Sequence, residues 1–91
     1  MLIVVQINIS NADLRLFEDY EAKVLPLLGG HGGRLVERLR ATDGRSEIHL
    51  LQFPDASSFE AFRTDPTRAG LQDIWRRCSA TSVLTEVARL T

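Results

Sequence analysis

The order of apolar and polar residues predicts an α+β domain with the element order β-α-β-β-α-β. Four short runs alternate between apolar and polar residues, as half-buried strands do, and two longer segments repeat apolar residues at helical spacing. An Asp-Gly pair at residues 43–44 separates the two central strand-like runs, as in a hairpin. Because the chain has 91 residues and no repeat or linker, residues 1–91 are expected to form a single domain.

The first strand and first helix are predicted between Leu2 and about Leu28. Odd-numbered residues from 3 to 9 are β-branched and share one strand face, while the even-numbered residues share the other. Ser10-Asn11 is predicted to cap the helix, with Asp13 in its first turn. Gly29-Gly30 is predicted to supply the left-handed backbone that ends it. The helical stripe comprises Leu14, Phe17, Glu21, Val24 and Leu28.

The hairpin and second helix follow in residues 34–78. Strands are predicted over 34–41 and 45–53, joined by Thr42-Asp43-Gly44. Residues 57–60 (Ser-Ser-Phe-Glu) have the pattern of a capping box that opens a helix. Asp65-Pro66 restarts that helix, with Asp as the N-cap and Pro in the first helical position. A last alternating run, residues 81–90, predicts the fourth strand.

Two β-α-β units that share a hairpin most often form a ferredoxin-like sandwich. In that fold a four-stranded antiparallel sheet carries both helices on one face. No chain is left over to cover the other face of the sheet. We therefore expect a homodimer in which two copies pack through their open sheet faces, giving a dimeric α/β barrel.

Composition and charge exclude several classes of partner and site. Eleven basic residues nearly balance twelve acidic ones. The chain therefore lacks the strong positive field that would attract nucleic acid or an anionic membrane. A single cysteine and two histidines are too few for an ordinary zinc site, and no metal or cofactor is predicted. The apolar N-terminal run lacks the features of a signal peptide, which predicts a cytoplasmic protein without membrane contact.

Several short motifs together resemble the dimeric α/β-barrel superfamily, and within it a family of short bacterial proteins of unknown function. The resemblance covers nearly the whole chain, and it is carried by residues 20–26, 31–34, 50–54, 59–63 and the pair Asp65-Pro66. It implies a pocket between helices and sheet or within the barrel. It leaves the chemistry open, because one fold hosts many reactions.

Relatives in that superfamily include cofactor-independent antibiotic-biosynthesis monooxygenases, isomerases, cyclases and haem-degrading enzymes. The haem branch would be expected to carry its axial histidine on the second helix, and residues 57–78 contain no histidine. For the monooxygenase branch, no Asn-Trp-Tyr constellation can be matched position by position. The resemblance therefore transfers no catalytic residue to this chain.

Three residues are candidates for catalysis on chemical grounds. His31 lies among four glycines, where mobile backbone would let it act as a general base, although an exposed turn histidine is the ordinary alternative. Tyr20 could present its hydroxyl to a cleft, or lie at the edge of the core. Arg38 could bind a ligand carboxylate, or pair with Glu37, Glu47 or Glu86 on the sheet.

Four further residues are candidates for ligand binding. Gln6 and Asn8 lie on the strand face opposite the β-branched stripe, and Gln52 alternates away from Leu51 and Phe53. These amides would either line a pocket or bond across a dimer contact, since buried amides need partners. Trp75 could form a pocket wall, with core packing as the alternative. His49 alternates with Leu51 and Phe53, which predicts a partly buried structural histidine on the helix-facing side.

Two hypotheses for function follow. The first is a cofactor-independent small-molecule enzyme of the cyclase, isomerase or monooxygenase type, acting on an apolar or aromatic metabolite. The second is a non-catalytic dimeric module that binds a metabolite or a protein partner. If Gln6, Asn8 and Gln52 are consumed by hydrogen bonds across the dimer and no cavity of roughly 300 Å³ remains, the enzyme hypothesis loses its basis.

Overall fold

The computed structural model describes all residues from 1 to 91 and contains one sheet with a single layer of helices. The strands are β1 (Leu2–Asn8), β2 (Arg34–Arg40), β3 (Ser46–Gln52) and β4 (Thr81–Val87). The helices are α1 (Leu14–Val24), α2 (Ala56–Arg63), α3 (Pro66–Ala69) and α4 (Gln72–Cys78), and a 3-10 segment (Leu25–His31) follows α1. This order confirms the predicted ferredoxin-like α+β fold.

The four strands form an antiparallel sheet in the order β2-β3-β1-β4. In β1, Val4 lies opposite Leu50 of β3 and opposite Thr85 of β4. The pairing of β2 with β3 shifts by one residue between Leu35 and Glu37. This bulge changes the side-chain alternation along β2.

The core lies between the sheet and the helices. Every second residue of β1 is buried there, as the alternation predicts, together with apolar side chains from β3, α1, α2 and α4. The largest side chains with almost no exposed surface are Phe17, Phe53, Ile3 and Cys78. The opposite side of the sheet, which we call the outer face, is covered by no part of the chain. It exposes Leu39, Ile48 and Val83.

The N-caps of two helices differ from the sequence predictions. Asp13, not Ser10-Asn11, is the N-cap of α1, and its carboxylate accepts a hydrogen bond from Leu16 N at 3.1 Å. Asp55, not a Ser57 capping box, caps α2 through Ser58 N at 2.7 Å. In both cases a carboxylate standing three residues before the bonded N–H takes the capping role. The Asp65-Pro66 start of α3 is confirmed.

Glycine positions set the turn between the 3-10 segment and β2. Gly32, not Gly29-Gly30, takes the left-handed backbone, with φ of 69°. At Gly33 a side chain would meet the Phe53 ring at 2.6 Å, so the chain passes directly over this core residue. None of the helices has the length and apolar character that crossing a membrane requires.

Candidate functional site

A cavity of about 120 Å³ lies between the helical layer and the sheet. It reaches the surface at three exposed lining residues, Arg63 of α2 and Ser82 and Leu84 of β4. Its volume is below that of most ligand pockets, but a closed apolar cavity of about 150 Å³ is enough to bind benzene. The cavity is therefore sized for one ring, with room for a substituent only towards the opening.

Aromatic and aliphatic side chains form most of the cavity wall. Tyr20 of α1 and Trp75 of α4 pack against each other with ring centroids 5.0 Å apart. Phe59 and Phe62 of α2 line the cavity and pack on Phe53 beneath them, at 5.3 Å and 5.6 Å. Such walls favour an apolar or aromatic ligand, because aromatic pairs add specific contacts to the burial of apolar area.

Glu21 lies in this wall as a buried carboxyl group. It occupies a position of the apolar stripe of α1 and is 3% exposed. Nε2 of His49 on β3 lies 3.9 Å from Glu21 Oε2, beyond hydrogen-bond distance. Burial, followed by the nearby Glu47 carboxylate, raises the pKa of Glu21 from 4.5 to about 7.

A network of charged side chains lies behind Glu21 on the helix-facing side of β2 and β3. His49 donates through Nε2 to Glu47 Oε2 at 2.9 Å, and both residues are buried. The other Glu47 oxygen accepts from Arg38 at 3.3 Å and from Arg40 at 3.0 Å. Both arginines also bond to Glu18 on α1. The arginines thus neutralise Glu47 and leave Glu21 without a cation of its own.

The protonation states follow from this arrangement. Burial lowers the pKa of His49, against the opposing effect of its bond to Glu47, so its imidazole is neutral at pH 7. The hydrogen bond from Arg40 lowers the pKa of Glu18 and keeps it ionised. Glu21 is the carboxyl group in this region that changes charge near neutral pH. That property suits a general acid or base.

Glu21, Glu47 and His49 form the only cluster of side chains whose donor atoms could bind a metal ion together. One ligand atom each from Glu21, Glu47 and His49 lies within 4.8 Å of the others. However, both Glu47 oxygens and the His49 Nε2 are already engaged in hydrogen bonds. A metal ion would have to displace the bond between His49 and Glu47. The geometry therefore favours proton transfer at Glu21 over metal binding.

Two of the residues predicted from the sequence, Tyr20 and Trp75, lie in the cavity wall. His31 lies outside it, at the end of the 3-10 segment. Its Nε2 donates to Asp65 Oδ2 at 2.7 Å, and its ring meets the edge of Phe62. His49 lies on the helix-facing side, as its alternation predicts.

The bulge in β2 determines the side of the sheet on which Arg38 lies. Because the bulge lies between Leu35 and Glu37, Arg38 shares the helix-facing side with Leu35 and Arg40. Its partners are Glu47, one of the predicted candidates, and Glu18, which was not predicted. Arg38 does not line the cavity.

The three predicted amides lie on the outer face. Gln6 and Asn8 border a wide groove of about 620 Å³ on that face. Gln52 accepts a hydrogen bond from Arg34 at 2.7 Å. The groove is larger than the helix–sheet cavity, but it is more open, and no carboxyl, imidazole or thiol group lines it. We therefore take the helix–sheet cavity as the candidate site.

Sequence reasoning missed Glu21, Arg68 and Gln72 as cavity residues. A signal for Glu21 was present, because it is the one charged residue among five on the apolar stripe of the first helix. Glutamate is almost never buried unless it is paired. Arg68 and Gln72 belong to short helices whose orientation the sequence pattern did not specify.

Comparisons with known proteins find the same fold in several solved structures. No family model and no curated protein sequence matches the chain. SnoaB, a cofactor-independent oxygenase from Streptomyces nogalater, superposes with a TM-score of 0.78 and 18% identity, over 99% of this chain and 93% of its own.

Two further structures share the fold. A Nitrosomonas europaea protein, provisionally described as an antibiotic biosynthesis monooxygenase, has a TM-score of 0.72 and 9% identity, over 98% of this chain and all of its own. A dimeric ferredoxin-like protein of unknown function from Jannaschia has a TM-score of 0.66 and 15% identity, over 96% and 100%. At these identities the likeness confirms the fold resemblance and leaves activity to the site.

Proposed function

We propose that this protein is a cofactor-independent small-molecule enzyme that removes a proton from an aromatic metabolite bound in the helix–sheet cavity. The observation that carries the proposal is Glu21, a carboxyl group buried in an apolar cavity wall with a pKa of about 7. A base with this pKa is half ionised at neutral pH and can both accept and return a proton.

The proposed step transfers one proton and needs no oxidant or reductant. The Glu21 carboxylate takes a proton from an acidic C–H of the ligand, and the electron pair of that bond moves into an adjacent carbonyl to give an enolate. Tyr20 and Trp75 pack against the ligand ring and hold its C–H towards α1. Exclusion of water from the cavity strengthens the electrostatic interactions that guide the transfer.

This step is common to the reaction types that the fold resemblance implies. An isomerase returns the proton at another carbon, and a cyclase uses the enolate to attack a carbonyl. A cofactor-free oxygenase must draw the electrons for O₂ from the deprotonated substrate itself. The similarity to the SnoaB structure, whose protein is described as a cofactor-independent oxygenase, supports the last of these types.

His31 and Arg38 have other tasks in this proposal. His31 joins the end of the 3-10 segment to the N-cap of α3 through Asp65. Arg38 holds Glu47 in place beside His49 and so helps to set the environment of Glu21. Neither residue touches the ligand.

We also propose that the protein is a homodimer through the outer face. That face lacks a covering layer and exposes Ile48 at 37% and Val83 at 61%. A second copy would cover these side chains and the amides of Gln6 and Asn8 by sheet-to-sheet packing. The dimeric protein from Jannaschia, which shares the fold, supports this arrangement.

Deuterium exchange into phenylacetone tests the proton transfer. This probe has one ring and an acidic benzylic CH₂ next to a carbonyl, which suits a cavity sized for one ring. We expect the protein to accelerate exchange in D₂O, measured by NMR, above the rate in buffer alone. The acceleration should rise with pH around 7 and level off above it, as Glu21 loses its proton.

The Glu21→Gln variant is the matched test of the base. It keeps the size and most of the polarity of the side chain but cannot accept the proton, so acceleration should vanish. Exchange that is equally fast in this variant would contradict the proposal. Binding of phenylacetone, seen in the fluorescence of Trp75, without any acceleration would instead favour the non-catalytic binding module.

A further inference from the structure

The wall of the helix–sheet cavity contains a positive charge, that of Arg68, which has no anion paired with it in the chain. Arg68 of α3 lines the cavity and is the only arginine of the ten that is not exposed. It forms no ion pair. Its Nε is buried without a hydrogen-bond acceptor. Half-buried cations are ordinarily paired, since burial removes the water that would solvate them.

Neighbouring groups hold the Arg68 guanidinium in place without neutralising it. Its Nη1 donates to the backbone oxygen of Arg63 at 3.1 Å, and its Cζ lies 5.3 Å from the centre of the Phe62 ring. Arg63 itself stacks on Phe59 at 5.6 Å but has a carboxylate, Glu60, at 3.7 Å. Both arginines thus lie over a phenylalanine ring of α2, but only the exposed Arg63 has a carboxylate beside it.

We propose that the natural ligand is an aromatic anion, and that Arg68 binds its carboxylate or other oxyanion while its ring lies in the apolar cavity. The inference rests on the proposed function, whose site it shares, and adds the substrate class. The ring would lie between Trp75 and Phe62, with the anionic group at α3 and the reacting carbon towards Glu21 on α1. A guanidinium is suited to this, because it stays charged and binds carboxylates through two parallel hydrogen bonds.

Binding of phenylacetate and phenylacetamide tests the inference. The two probes have the same ring and nearly the same shape and differ in charge. Trp75, the only tryptophan of the chain, reports binding through its fluorescence, at about pH 6, where Glu21 is mainly protonated. We expect phenylacetate to bind at least about tenfold more tightly than phenylacetamide, with an affinity that falls as salt is added.

The Arg68→Gln variant should lose at least about tenfold in affinity for phenylacetate and less than about twofold for phenylacetamide. Arg76→Gln is the control, since it removes an exposed arginine of α4 that pairs with Asp73 at 3.3 Å and does not line the cavity, and it should change either affinity little. Equal affinities for the two probes in the unaltered protein, or no phenylacetate binding at about 10 mM, would overturn the inference. If Arg68→Gln does not fold, the difference in affinity between phenylacetate and phenylacetamide in the unaltered protein, and its salt dependence, still test the inference. The assay involves no proton transfer, so its failure is distinct from a failure of the exchange test.

Discussion

The two faces of the sheet differ in the side chains that they carry and in how deeply those side chains are buried. The helix-facing side buries Glu21, Glu47 and His49 next to an apolar cavity. The outer face carries uncharged amides and exposed aliphatic side chains around an open groove. In the single chain, the polar groups of the outer face are open to solvent. Those of the helix-facing side are buried, and Glu47 and His49 obtain their hydrogen bonds from protein side chains.

This difference indicates where chemistry can take place. A pKa moves far from its ordinary value only where solvent is excluded and charges are close. The helix-facing side meets both conditions at Glu21, whereas the outer face meets neither in the single chain. The larger groove is therefore better explained as an association surface than as an active site. The predictions below test this division of roles.

The largest expected effect concerns the outer face. Val4→Arg or Leu50→Arg would place a charge at the centre of the sheet-to-sheet contact, where these two residues lie opposite each other on β1 and β3. Burying an unpaired charge costs several kcal/mol, which is enough to separate the dimer. Native mass spectrometry should show a monomer for either variant and a dimer for the unaltered protein.

A control with the same new charge is available on α1. Ala22 is exposed on the helical layer, so Ala22→Arg should remain dimeric. If Val4→Arg and Leu50→Arg also stay dimeric by light scattering, the outer face is not the interface. The amides of Gln6 and Asn8 would then again be candidates for ligand binding.

A smaller effect is expected from Glu21→Gln on stability. The pKa of Glu21 is about 7 in the folded chain, above its ordinary 4.5. Its contribution to stability is therefore fully present below about pH 4.5 and is lost as the pH rises through 7. Glutamine stays neutral, so the variant should gain up to about 3 kcal/mol relative to the unaltered protein between about pH 5 and pH 8.

Urea unfolding at a fixed protein concentration measures this difference. Glu60→Gln, at an exposed position of α2, serves as the control and should show no such trend over the same pH range. A stability difference between Glu21→Gln and the unaltered protein that is the same at both pH values would show that Glu21 titrates normally.

The smallest effect is expected from His31→Ala. His31 lies outside the cavity and donates to Asp65, which still caps α3 through Thr67 N at 2.7 Å when the imidazole is removed. The melting temperature should fall by less than about 5 °C. The rate of phenylacetone exchange should stay within about twofold of the unaltered protein. A large loss of exchange with an intact fold would return His31 to the list of catalytic candidates.

Local patterns in the sequence were sufficient to predict the fold. The alternation in residues 2–9 predicts which side of β1 is buried, and Asp43-Gly44 predicts the hairpin, in which Gly44 has φ of 75°. These signals depend on residues close together in the chain. Helix ends were less well predicted, because Ser10, Asp13, Asp55 and Ser57 are all capable caps and tertiary packing selects among them.

The site depends on contacts between distant segments, which the sequence pattern does not encode. The bulge in β2 turns Arg38 towards Glu47, and no local motif marks that bulge. The pKa of Glu21 is raised because the fold buries this side chain and brings Glu47 of β3 close to it. The position of Glu21 on an apolar stripe was the one local sign of this, and it indicates burial without indicating the neighbours.

The most direct measurement of the central claim is a pH titration of the side-chain carboxyl carbons by ¹³C NMR. The Glu21→Gln variant assigns the Glu21 resonance by its disappearance. We expect this resonance to titrate with a midpoint of about 7. Phenylacetone bound in the cavity should change its chemical shift. A midpoint near the ordinary value of 4.5 would show that Glu21 is not the proton acceptor and would contradict the proposed site.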